Sequence, residues 1–226
     1  APDRPVAFAV PTGYFGNVYS GYAARAMGLP VARFVIGSNR NDILTRFLET
    51  GVMEIRDVEP SLSPSMDIQI SSNFERLLFD LCDREGRAVR DAMTGFRETG
   101  RLTAPQGGMK MLGALFDGHR LDDGQTLAAI AAEQASSGEV LDPHSAIGVA
   151  AARALAGDPA IPMVALATAH PAKFADAVER ATGQAPVMPA RLAGLFERQE
   201  RFSVLANDLA AVQAHIRASL SLKGAA

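Results

Sequence analysis

The 226 residues carry 25 acidic and 22 basic side chains, a formal net charge of -3. No Lys/Arg-rich stripe is interleaved with aromatics and no apolar run reaches membrane-spanning length, so neither nucleic acid nor a membrane is an expected partner. A hydrophobic share of 48% allows a substantial core and excludes a disordered chain.

The chain opens with Ala1 and enters a strand at Val6, which reads as a piece of a longer chain. VAFAV (6–10) is a short apolar run, the pattern of a strand buried on both faces. PTGYFGN (11–17) follows, with Asn17 able to cap a helix whose apolar face carries Val18, Tyr22, Ala26 and Leu29. Gly28 and Pro30 stop that helix, and VARFVIGS (31–38) is the next strand. Asn41 is placed to cap a helix that Gly51 closes. This βαβα opening predicts a mostly parallel sheet with helices on both faces.

The middle, about 71–115, reads as a helical excursion. Phe74, Leu77, Leu78 and Leu81 form an amphipathic stripe, and a second helix is expected over 84–99. Residues 116–126 look turn-rich, and a helix is expected from Gln125 to about Ser136. Asp142 then caps a helix with Pro143 at its first position and Gly157 beyond its end. IPMVALAT (161–168) predicts a strand, and the stretch after it a helix with Phe174, Ala177, Val178 and Ala181 inward. The tail, about 189–222, has an amphipathic helical pattern. The single cysteine, Cys82, cannot form an internal disulfide and fits a reducing, cytoplasmic setting. No His/Cys cluster has ligand spacing, so no metal is expected.

Ligands of open parallel sheets collect at the carboxyl ends of the strands. Two stretches occupy that rim. In PTGYFGN, Gly13 and Gly16 permit close backbone approach, and the helix N-terminus offers unpaired N–H groups to an anion. The spacing matches neither a P-loop nor a dinucleotide fingerprint, and a bare strand-to-helix turn explains it equally well. In TAHPAK, Lys173 falls in the first turn of a helix, against the dipole, in a chain with only three lysines. An anion nearby accounts for it; so does a side chain reaching water. Thr168 points to the same rim. In ISSNFERLL, Ser72 and Glu75 fit a capping box. Asn73 and Arg76 lie three apart at the helix start, where they could hold an anion, although Arg76 could equally pair with Asp80. His144 is an early-helix residue beside the Asp142 cap.

VPTGYFGNVYSGYAARAMGLP, NDILTRFLETG, SMDIQISSNFERLLFD, LDPHSAIG and LATAHPAKF, in this order, resemble threonine synthase, over nearly the whole chain up to about residue 190. The likeness covers the later half of that enzyme. It implies the type II pyridoxal-phosphate fold, with residues 1–226 forming the C-terminal portion of the large cofactor-binding domain. It also implies conversion of O-phospho-L-homoserine and water into L-threonine and phosphate. By resemblance, Gly13, Tyr14, Phe15, Gly16 and Asn17 form the cofactor-phosphate loop, and Thr168 hydrogen-bonds the pyridine nitrogen. Asn73, Arg76 and Lys173 are the candidates for the substrate's phosphate or carboxylate. The family loop usually reads PTGNFGN, so Tyr14 replaces an asparagine. The Schiff-base lysine of the family lies upstream of these residues, and none of Lys110, Lys173 and Lys223 sits in its motif. The fragment alone is therefore expected to be inactive and to need the N-terminal half as its partner. The competing reading is a non-catalytic phosphate-binding or regulatory module derived from the enzyme.

Overall fold

The computed structural model describes residues 4–223, in two units that divide after Val187. The first unit begins with β1 (Val6–Pro11), α1 (Gly16–Ala26), β2 (Val31–Ser38), α2 (Ile43–Thr50) and β3 (Val52–Glu54). It continues with α3 (Phe74–Leu81), α4 (Gly86–Thr99), β4 (Arg101–Thr103), α5 (Gly108–Leu115) and β5 (Phe116–Arg120). α6 (Asp123–Ser137), α7 (Pro143–Ala154), β6 (Met163–Ala165) and α8 (Ala175–Thr182) complete it. The main sheet is parallel throughout, in the order β5-β2-β1-β6, while β3 and β4 form a separate antiparallel ribbon.

Parallel neighbours need helical crossovers, and these cover both faces of the sheet. Phe34 and Ile36 of β2 face one layer, packing with Val18 of α1, Ile43 and Phe47 of α2, and Leu77 and Leu78 of α3. Val35, between them, points the opposite way with Ala9 of β1, against Ala151 of α7. One strand thus feeds two cores, which is why Phe34, Val35 and Ile36 are apolar in succession. All four residues of the Phe74, Leu77, Leu78, Leu81 stripe are buried.

Several boundaries differ from the sequence pattern. Asn17 lies inside α1, whose N-cap is Phe15. Asp42, not Asn41, precedes α2; the Asn41 amide instead donates to Glu59 O at 2.8 Å and to Asp67 Oδ1 at 2.9 Å. The Ser72–Glu75 capping box is absent: the N-cap of α3 is Asn73 and no side chain caps it. The turn-rich stretch contains β5, paired with β2, and Asp117 in it binds Arg33 on that neighbour. A polar cross-strand pair and Gly118 hide the strand from an apolar reading. A real capping box, Asp122 with Gln125, starts α6 two residues earlier than expected. The last strand is only three residues long, and Pro171–Phe174 is a 3-10 turn before α8. Short β4 interrupts the helical excursion.

The second unit contains two 3-10 turns, Ala190–Leu192 and Leu195–Glu197, and α9 (Leu209–Lys223). Helix therefore fills only the end of the tail, and Leu209, Ile216 and Leu220 on it are exposed.

α7 lies very close to β1, because position 148 has no side chain. A Cβ on Gly148 would stand 2.8 Å from Cδ of Pro11, a ring that cannot swing away. Gly148→Ala is expected to push α7 off the sheet and cost about 1–3 kcal/mol. Equilibrium urea unfolding checks this, with Ala151→Gly as a helix control that introduces no such clash.

Candidate functional site

β1 has β2 on one side and β6 on the other. The chain leaves β1 into α1 on one face of the sheet and approaches β6 from α7 on the other. The loops beyond these two strand ends therefore diverge, and such a reversal opens a crevice at the carboxyl edge. A cleft of about 230 Å³ lies there, walled by Thr12, Gly13, Tyr14, Gly16 and Asn17 on one side. His144, Thr168, Lys173 and Phe174 form the other wall.

The first wall is fixed by an unusual residue. Phe15 has φ 64, ψ 5, the left-handed conformation, in a residue with a Cβ. That conformation costs roughly 1–2 kcal/mol. The ring offsets it by complete burial, edge-on to Phe74 at 5.5 Å and tilted against Phe116 at 6.2 Å. Burying a phenylalanine contributes about 1.5–3 kcal/mol. The Phe15 N–H donates to Oγ1 of buried Thr12 at 3.1 Å, closing the turn. The amides of Gly16, Asn17 and Val18 then open α1 without intrahelical acceptors. No side chain caps them.

Two side chains from the segment before α3 brace this loop. Ser71 Oγ donates to Gly13 O at 2.7 Å, and Asn73 Nδ2 donates to Tyr14 O at 2.9 Å. The Asn73 N–H reaches the same carbonyl at 3.1 Å. With both carbonyls held and the Phe15 N–H closing the turn, the amides of Gly16 and Asn17 are left for a ligand. Met66, which also lines the cleft, packs against the loop: a Cβ on Gly13 would lie 3.1 Å from the Met66 Cα and 3.2 Å from the Ile68 side chain. Residues 61–67 are held there by Asp67, which accepts from the amides of Asn39 (2.7 Å) and Asn41 (2.9 Å) and from Ser61 Oγ (2.6 Å).

The second wall is built on the start of α7. Asp142 accepts from the backbone N–H of His144 at 2.9 Å and of Ser145 at 3.1 Å. It also lies 2.7 Å from His144 Nδ1. Burial pushes the Asp142 carboxyl upward, but these side-chain and backbone bonds outweigh it and hold the group below its usual range. Ser145 Oγ accepts from the Thr168 N–H at 3.1 Å and so ties the end of β6 to this helix. The exposed Lys173 has its Nζ 5.8 Å from the Phe174 ring, whose other contact is the His144 ring at 4.7 Å.

The structure thus brings together Gly13, Tyr14, Gly16, Asn17, Thr168 and Lys173 around one cleft. Phe15 anchors the loop from inside the core, and Asn73 acts on it from behind. Arg76 is elsewhere: its guanidinium lies 5.7 Å over the Tyr19 ring, in a groove with Glu75, Arg90 and Arg97. Nor does it pair with Asp80, which takes the Tyr22 hydroxyl at 2.9 Å and Arg84 at 2.9 Å. Ser71 and Ser145 escape a sequence reading because each acts through one backbone atom distant in sequence. His144 gave a weak signal through the Asp142 cap beside it.

These residues fit a phosphate-bearing group. The loop offers amides and no carboxylate, a Cβ at Gly13 would press on the Met66 backbone at 3.1 Å, and the buried His144 Nε2 has no hydrogen-bond partner among the described residues.

The family model described as threonine synthase, C-terminal, matches residues 145–216. A threonine synthase of Pseudomonas aeruginosa is 53% identical over 217 residues, covering 96% of this chain and 46% of that protein. The crystal structure of PLP-bound threonine synthase from Brucella melitensis aligns with a TM-score of 0.87 and 49% identity, over 96% of this chain and 47% of that one. Yeast threonine synthase gives a TM-score of 0.83 at 34% identity, over 97% and 48%. The chain spans about half the length of the relatives it matches. Fold and cleft define a parallel α/β protein with a crevice at the carboxyl edge of its sheet. Within that class, the chain belongs to the threonine synthase family and corresponds to its C-terminal portion.

Because the folded Asp142 carboxyl titrates below its unfolded value, the unfolded state takes up the proton first as pH falls. The stability it contributes is complete above the unfolded value, near pH 4, and is lost as pH drops through the lower folded value. Asp142→Ala should flatten this acid limb and, by removing the cap, cost about 1–2 kcal/mol at neutral pH. Urea unfolding between pH 2.5 and 7 measures both; an unchanged slope would contradict the assignment.

Proposed function

We propose that this chain forms the phosphate cradle and ring-nitrogen contact of a pyridoxal-phosphate-dependent threonine synthase. That enzyme makes L-threonine and phosphate from O-phospho-L-homoserine and water. The observation that carries the reading is the Phe15 lock, which turns the first amides of α1 toward a cleft shared with Thr168 and Lys173.

Each residue has a physical task in it. The amides of Gly13, Tyr14, Gly16 and Asn17 and the positive end of α1 would receive the cofactor phosphate, while the Phe15 N–H stays with Thr12. Thr168, placed by the Ser145 bond, would offer a neutral hydroxyl to the pyridine nitrogen. A hydroxyl leaves that nitrogen unprotonated, whereas a carboxylate would favour the pyridinium. Lys173 would attract the phosphate or carboxylate of the substrate without the loss of a buried cation's hydration. Asn73 would keep the loop open by occupying the Tyr14 carbonyl. Arg76, facing a different groove, has no part in the cleft. When bound, pyridoxal phosphate supplies the electron sink that permits deprotonation at Cα and Cβ, loss of the γ-phosphate and addition of water at Cβ.

Lys110 is exposed on α5 and absent from the cleft wall, and Lys173 lies in the 3-10 turn at its rim. The reading therefore assigns the tethering lysine to the part of the family's length that these residues do not span. The 226-residue chain, given pyridoxal phosphate and O-phospho-L-homoserine, is expected to release no threonine. A complete synthase that includes it should do so; steady turnover by the chain alone would sink this division of labour. In the complete enzyme, Gly13→Ala should weaken pyridoxal phosphate binding by ~tenfold or more, because the amides shift as Met66 is displaced. Cofactor absorbance titration reads this, and Tyr14→Asn should bind nearly normally, since Tyr14 acts through its backbone.

A further inference from the structure

The functional reading above leaves one polar group of the cleft without a task. His144 is 5% exposed, and its Nδ1 is bonded to Asp142, which is 0% exposed. The Asp142 carboxylate faces the His144 ring at 2.7 Å and can only accept there. Nδ1 therefore carries a hydrogen, and Nε2 is the nitrogen left to act. Nε2 is buried and has no hydrogen-bond partner among the described residues. Glu133 Oε2, also buried, is by contrast ion-paired with Arg153 at 2.5 Å. Stacking on Phe174 accounts for the ring's apolar face, not for a bare nitrogen in a ring that walls a polar cleft. Buried polar groups in native proteins have partners, so an orphan at a cleft points to a bound one.

We infer that His144 donates Nε2–H to an anionic phosphoryl oxygen of the ligand in this cleft, with Asp142 holding the opposite side of the imidazolium. The ring then bears two protons; the second comes from solvent or from a monoanionic phosphomonoester as it binds. A neutral ring would instead present a lone pair to the oxyanion and repel it. The other titratable groups on the surrounding segments are Lys173 and His170 beside Phe174, Tyr14 across the cleft, and Asp67 behind Met66. Lys173 is exposed at the rim, so His144 and Lys173 would meet the anion from inside and outside. The Asp67 carboxylate is occupied by Asn39, Asn41 and Ser61. This inference rests on the cleft being a phosphate site.

The test is 15N spectroscopy of the histidine rings in a complete synthase carrying this chain, with His144→Gln identifying the His144 signal by its loss. Apoprotein is titrated with pyridoxal phosphate, pyridoxal and inorganic phosphate, and the cofactor-loaded enzyme with O-phospho-L-homoserine. The expected result is that Nε2 of His144 moves to the doubly protonated range on adding a phosphorylated ligand and not with pyridoxal. A response to pyridoxal phosphate assigns the cofactor's phosphate, and a response only to O-phospho-L-homoserine assigns the substrate's; either supports the contact. His144→Gln should also weaken that ligand by ~tenfold or more. If the ligands bind and Nε2 stays put, or pyridoxal alone moves it, the contact is refuted while the phosphate site stands. If none of the four binds, both readings fall.

Discussion

The architecture of the cleft depends on one backbone conformation at Phe15. A left-handed residue between strand and helix reverses the chain so that α1 begins with its amides turned toward the sheet rim. Glycine would adopt this geometry more readily but would not hold it. A fully buried ring, wedged between Phe74 and Phe116, makes the conformation obligatory whenever the core is formed. The fold's hydrophobic free energy is thereby coupled to the position of three amides. Phe74 belongs to α3 and Phe116 to β5, so elements far apart in sequence converge on that single torsion.

The second wall is organised differently, by polar contacts at a helix start. Asp142 caps α7, orients His144 and fixes Ser145, whose hydroxyl in turn holds Thr168. One buried carboxylate therefore positions three members of the cleft. The close approach of α7 to β1 at Gly148 brings this polar cluster within reach of the loop after β1. Apolar locking on one side and hydrogen-bonded locking on the other yield a crevice that is formed before any ligand arrives.

The strands and the apolar helix faces are legible in the sequence because burial leaves a periodic trace: VARFVIGS and the Phe74 stripe lie where the pattern puts them. β5 is illegible, since its Asp117 is matched to Arg33 on another strand and nothing local records that pairing. The helix starts mislead for a related reason. Asn17, Asn41 and Ser72 are good capping residues, yet an aromatic in the core and a polar network around Asp67 override local preference. At the site, glycine spacing and an out-of-place lysine mark the rim, and Gly13, Gly16, Asn17, Thr168 and Lys173 do converge there. Arg76 does not; its guanidinium lies over the Tyr19 ring in a different groove. Ser71 and Ser145 serve single backbone atoms, a role with no compositional signature.

The loop's residue 14 separates two jobs that usually constrain each other. Its carbonyl is held by Asn73, while its side chain is half in solvent at 50% exposure and touches the cleft mouth. Folding thus has almost no hold on which side chain stands there. A mutation at this site alters what a ligand meets on entry and leaves the scaffold alone, so selectivity can drift at position 14 without first being compensated elsewhere. Phe15, next to it, has no such latitude.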